Sequence, residues 1–226
     1  MNKMYSSCLV LVFLVSLHLH LEANDSISFP TGPAAWTIEM SDSPNNKAPS
    51  KTGSRITKIE VTQNDQFRHS LITYSNNQTK EFWSIVGTDL FLTEYSNGVV
   101  ALNPTNKFFF VPFAPSSFDW VQPGLLQGKD PIDYQGKQCF HYKGSMGWSP
   151  STGAPGMTAA VGGEPMTIIG EAWVDSKTLL PVAFDDGQML AVFTFLPPPT
   201  TPLVAPAKYL DLYEKYKTVN GIPNAH

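Results

Sequence analysis

From Arg55 onward the chain alternates short β-branched and aromatic runs with clusters of turn residues, and that rhythm restricts its fold more than any other feature. In Ile56 to Thr62, Ile59 and Val61 alternate with Lys58, Glu60 and Thr62, the period that gives a strand one apolar and one polar side. Asn64-Asp65 turns the chain and Phe67 to Tyr74 returns it; Ser75 to Gln78 turns it again before Thr79 to Val86. Leu90 to Thr93, Val99 to Leu102 and Lys107 to Val111 follow, with Asn97-Gly98 as a strong hairpin signal. Strands recurring every 8–12 residues or so predict an antiparallel meander. Its apolar side must be covered by something.

The middle of the chain breaks the rhythm. Phe108 to Ala114 is almost wholly apolar but is closed by Pro112 and Pro115, which a central strand does not accept. Ser116 is placed to cap a short helix through Trp120. Lys137 to Lys143 reads as a strand, and residues 144–165, rich in small residues and proline, as a long mobile loop. Strands resume at Met166 to Asp175, Leu180 to Phe184 and Gln188 to Leu196, with Asp186-Gly187 as a second hairpin turn. Residues 41–54 are turn chemistry and predict a loop. Tyr209, Leu210, Leu212, Tyr213 and Tyr216 recur at helical spacing between Ala207 and Val219, and Gly221 and Pro223 stop that helix.

Residues 1–23 carry the pattern of a secretory signal. Lys3 forms the basic region, Cys8 to Leu19 a short apolar core, and Glu22-Ala23 a cleavage site. The apolar run falls short of the roughly 20 residues that span a bilayer. The expected product is an exported chain, extracellular or periplasmic, with no transmembrane segment and a single β-rich domain over residues 24–226. About 200 residues bury a sizeable core without disulfides. Cys139 is then the lone cysteine and is expected to be buried, as small hydrophobes are. With 15 basic and 19 acidic side chains, scattered rather than clustered, nucleic acid is not an expected partner.

The run Ala172-Trp173-Val174-Asp175-Ser176-Lys177-Thr178-Leu179-Leu180-Pro181 resembles a hairpin of the LolA-like superfamily of exported lipoprotein carriers and lipid-binding proteins. There a strand ends in an apolar-apolar-Asp, turns through x-x-Thr and resumes at Leu-Pro. Asp175 is suited to accept N–H groups across the turn, and Pro181 to open the return strand. The family usually has glycine where this chain has Leu179, and a helix usually opens the mature protein, whereas residues 24–55 here are rich in Pro, Ser and Asn. The resemblance covers about ten residues. It implies a mainly β (α+β) fold, a strongly curved antiparallel half-barrel whose apolar concave face is covered by helix and holds acyl chains or another apolar ligand.

Candidate chemistry is sparse. Cys139 and His141 share a strand face, but side chains two apart on a strand stand about 6–7 Å apart, too far for a nucleophile–base pair. Glu171 and Asp175 share another, while Asp185-Asp186 is explained by hairpin chemistry. His69, His141 and His226 show no metal-ligand spacing, and no motif implies a cofactor. Asn77-Gln78-Thr79 at a hairpin tip and Asn24-Asp25-Ser26 are glycosylation triplets. Trp120, Trp148 and Met157 fall outside the strands and are the candidate ligand-binding residues at the mouth of a cavity. The reading is a non-enzymatic exported protein sheltering a lipid or other apolar molecule. The alternatives are a protein-interaction module whose core is filled by its own side chains, and a carboxylate-dependent hydrolase at Asp175.

Overall fold

A computed structural model describes residues 27–46, 54–88, 90–95, 97–104, 118–146 and 168–220. Eleven strands form one antiparallel sheet: β1 (Ala34–Asp42), β2 (Ile56–Gln63), β3 (Phe67–Tyr74), β4 (Thr79–Ile85), β5 (Leu90–Glu94), β6 (Val100–Pro104), β7 (Ile132–Tyr134), β8 (Lys137–Met146), β9 (Ile168–Asp175), β10 (Pro181–Asp185) and β11 (Met189–Leu196). Among the described residues one α-helix, α1 (Ala207–Asn220), follows. Spatial order is β6-β5-β4-β3-β2-β1-β11-β10-β9-β8-β7. Two consecutive meanders are therefore joined where β1 pairs with β11, with Ile38 opposite Phe193. The edge strands β6 and β7 do not pair with each other, so the curved sheet is an open half-barrel.

The predicted strands stand within a few residues of their expected ends. β8 runs on through Met146, so the first three residues of the expected 144–165 loop are strand. The strand expected at Lys107 to Val111 and the signal segment lie outside the described residues. Two strands are additions. β1 carries Ala34, Trp36, Ile38 and Met40 buried in alternation with Ala35, Thr37, Glu39 and Ser41, and it enters the expected 41–54 loop by two residues. β7 is only three residues long.

Alternation divides the core between the two faces. The Trp36 face carries Trp36, Ile38, Ile59, Val61, Ile72, Ala191, Phe193, Phe184, Ala172 and Tyr142. The opposite face is apolar at its β3–β5 end, through Phe67, Trp83, Ile85 and Leu92, and α1 covers it there. Tyr213 meets Phe67 edge-on at 5.1 Å and Tyr209 tilts against Trp83 at 5.9 Å. Lys208 pairs with Glu94 at the helix start.

The turns follow their residues. Gly98 and Gly187 take left-handed φ values of 79° and 80° at the two predicted hairpins. Leu179 does the same at 59°, the conformation that the glycine of the resembling hairpin would adopt at less steric cost. Asp175 Oδ1 accepts from the Lys177 and Thr178 N–H groups, both at 2.9 Å.

Candidate functional site

The connection from β6 to β7 must pass from one edge of the sheet to the other, and its described part crosses the Trp36 face. Phe118 meets Phe184 at 5.5 Å and Phe193 at 5.8 Å, both edge-on, and Phe29 at 5.6 Å from the N-terminal side. Trp120 follows, 6.1 Å from Phe184. The N–H of Val121 bonds back to the Phe118 carbonyl at 2.8 Å, closing a turn; Ser116, the expected cap of a short helix through Trp120, lies outside the described residues. Pro123–Leu125 forms a 3-10 turn. Gln127 N–H then donates to the His141 carbonyl at 2.7 Å, extending the β8 edge beyond the reach of β7.

Two glycines let this segment lie close to the sheet. Gly144 and Gly170 face each other across β8 and β9. A Cβ on Gly144 would stand 2.6 Å from Leu125 Cδ1; one on Gly170 would stand 2.7 Å from Met146 Cγ and 3.2 Å from Trp120 Cζ2. Side-chain carbon at either position would occupy the space of the covering residues.

The face also holds polar groups. The indole N–H groups of Trp36 and Trp120 are buried and have no hydrogen-bond partner among the described residues. Gln63, fully buried, donates both amide hydrogens to the segment above it, to the Pro30 carbonyl at 2.6 Å and the Gly32 carbonyl at 2.9 Å. Its Oε1 accepts from Arg68 Nε at 2.9 Å. Arg68 is opposite both Gln63 and Ser84 in register. It is only 9% exposed, and its guanidinium carbon lies 5.4 Å from the Trp36 ring centroid. Burial lowers its pKa to about 10, so it is cationic at neutral pH.

The opposite face of the β7–β9 end carries a different cluster. Trp173 is stacked between Tyr134 at 4.5 Å and His141 at 4.9 Å. Glu171 meets His141 Nε2 at 2.9 Å and accepts from Lys143 Nζ at 2.7 Å. Burial by itself would raise the Glu171 carboxyl; the bonds from Lys143 and His141 outweigh it and hold the group below the usual range. Cys139 is fully buried and unpaired. Burial, then the Asp175 charge, push its thiol up, which disfavours the thiolate a nucleophile needs. With Asp175 bound to its own turn and Ser43 Oγ donating to Asp185 Oδ2 at 2.8 Å, these carboxylates act as local structure. Among the described residues no group of His, Cys, Asp and Glu is arranged to hold a metal ion, and no helix is long and apolar enough to cross a membrane.

Of the candidate ligand-binding residues, Trp120 is half-buried on the covered face, while Trp148 and Met157 lie outside the described residues. Sequence reasoning missed Arg68, Gln63 and the glycine pair. The strand containing Arg68 has large apolar residues on both sides, Phe67 and Ile72 among them. That signal indicates that both faces are covered and hence that Arg68 is buried.

No protein-family model matches this chain, and no curated protein matches it. Among solved structures, the chain is similar to the crystal structure of Mycobacterium tuberculosis lipoprotein LppX. The TM-score is 0.39 and the identity 14%, over 77% of this chain and 90% of that one. A likeness of that size leaves the family unassigned.

Proposed function

We propose that this chain is an exported, non-enzymatic binding protein that holds an apolar ligand, such as a lipid or acyl chain, on the Trp36 face of its curved sheet. The observation that carries the reading is the pair of buried indole N–H groups without a partner among the described residues, one on the sheet and one on the segment that crosses it. A buried donor left unsatisfied costs about 1–3 kcal/mol, and a ligand bearing a carbonyl or ether oxygen would remove that cost. The apolar remainder would be held at roughly 25 cal/mol per Å² buried. In this reading Trp120 touches the ligand, and Trp148 and Met157 line the mouth. Export rests on the signal pattern of residues 1–23.

A second reading is a protein-interaction module with a self-filled core. The packing of Phe118 among Phe29, Phe184 and Phe193 favours it. Mass spectrometry of the protein from an exporting host, before and after organic extraction, separates the two. A stoichiometric apolar molecule released by extraction supports the binding protein. A clean mass with no uptake from mixed lipids refutes it in favour of the interaction module.

A further inference from the structure

Arg68 is a buried cation that has no counter-charge among the described residues. An ion moved out of water costs several kcal/mol unless it is paired, and buried arginines are ordinarily matched to carboxylates. Here the one hydrogen bond is from Nε to the neutral Gln63 carboxamide, and no ion pair to Arg68 is formed among the described residues. A guanidinium has five N–H donors, and among the described residues only the one on Nε has a protein acceptor. The group is nonetheless held in place. Gln63 spends both of its donors on Pro30 and Gly32 and its oxygen on Arg68, and the Trp36 ring lies against the guanidinium. This is a positioned fork, and its vacant side is the one that binds carboxylate or phosphate in the bidentate manner.

Its place on the sheet specifies the rest of the partner. Arg68 is in the row with Gln63 and Ala34, at one end of the Trp36 face. The next row holds Trp36, Val61 and Ser70, and the one after it Ile38, Ile59 and Ile72. At about 3.3 Å per residue the Ile72 row is some 13 Å from Arg68 along the strand. A cation at one end of rows that carry Trp36 and Val61 beside Ser70, and then Ile38, Ile59 and Ile72, is complementary to a molecule with an anionic head and an apolar tail.

We propose that the ligand of this face is an anionic amphiphile, with a single carboxylate or phosphate head held by Arg68 and its tail directed along the Trp36 and Ile38 rows. The inference rests on the binding reading above and adds the ligand's charge and orientation.

The test titrates the purified, delipidated protein with oleate and with oleyl alcohol, which share a chain and differ in head charge, and repeats both with Arg68→Met. The expected result is at least tenfold tighter binding of oleate by the unmodified protein. In Arg68→Met that preference is expected to vanish, with oleate binding no more tightly than oleyl alcohol. Equal affinities in the unmodified protein would overturn the head-group assignment and leave the apolar-binding reading standing; this comparison needs no variant to fold. Retention of the preference in a folded Arg68→Met protein would overturn it as well. Release of oleate by inorganic phosphate at equal concentration would show a free-anion site and overturn the amphiphile. Binding of neither molecule would refute the binding reading and the head-group assignment together.

Discussion

Replacing Gly170 by alanine tests whether Met146 of β8 and Trp120 of the crossing segment are seated against Gly170 as closely as the geometry implies. Gly170 is buried, and its backbone is not left-handed, so alanine can adopt the conformation. The added Cβ would meet Met146 Sδ and Cγ and would stand 3.2 Å from Trp120 Cζ2. Met146 is 4% exposed and has little room to withdraw. Overpacking of this kind costs about 1–3 kcal/mol, and the reduced freedom of the unfolded chain returns about 0.4–1 kcal/mol. The net expectation is a loss of about 1–2 kcal/mol, with the larger part in the clash. For a domain of this size each kcal/mol moves Tm by about 2–4 °C. Urea unfolding followed by tryptophan fluorescence measures the loss. A cycle with Met146→Ala assigns it, because removing Sδ and Cγ removes the clash. Met146→Ala by itself should cost about 2–5 kcal/mol, and the double variant should be more stable than the sum of the single losses predicts by about 1 kcal/mol or more. An unchanged or raised midpoint for Gly170→Ala would refute the close seating. Strict additivity in the cycle would refute Met146 as the neighbour that is struck.

Two further predictions concern the opposite face. Glu171 has a folded pKa below its ordinary value of 4.5, so its contribution to stability is present above about that pH and is lost as pH falls through the lower folded value. Glu171→Gln should therefore lower the urea midpoint at pH 7 and flatten its decline between about pH 5 and pH 3; an acid decline as steep as that of the unmodified protein would remove Glu171 as its source. Cys139, fully buried with a raised pKa, should not react with Ellman's reagent in the folded protein. After unfolding, one thiol is expected where residues 1–23 have been cleaved and two where Cys8 is retained; rapid reaction of the folded protein would refute the inert thiol.

How much was legible in the sequence depended on the range over which each signal acts. The period of two in Ile56 to Thr62 and Phe67 to Tyr74, the glycines of the two hairpins, and the helical spacing of Tyr209, Leu212 and Tyr216 are local. They specified the antiparallel meanders, the turns and the C-terminal helix. The alternation of Trp36, Ile38 and Met40 against Thr37, Glu39 and Ser41 was equally local, and it was hidden by the turn-rich residues that follow. Other features are set by partners far along the chain. That β1 closes the two meanders against β11 is a pairing of residues more than 140 positions apart. That Gly144 faces Gly170, making room for Leu125, Met146 and Trp120, is decided by strand register and by the course of a crossing segment. The apolar residues on both faces of its strand signal locally that Arg68 is buried, but not what stands around it. Only the sheet that carries Trp36 beside it, and the Pro30–Gly32 segment held over it by Gln63, make it a desolvated cation, because those neighbours and the absence of a counter-charge among the described residues belong to the assembled surface and not to the residue.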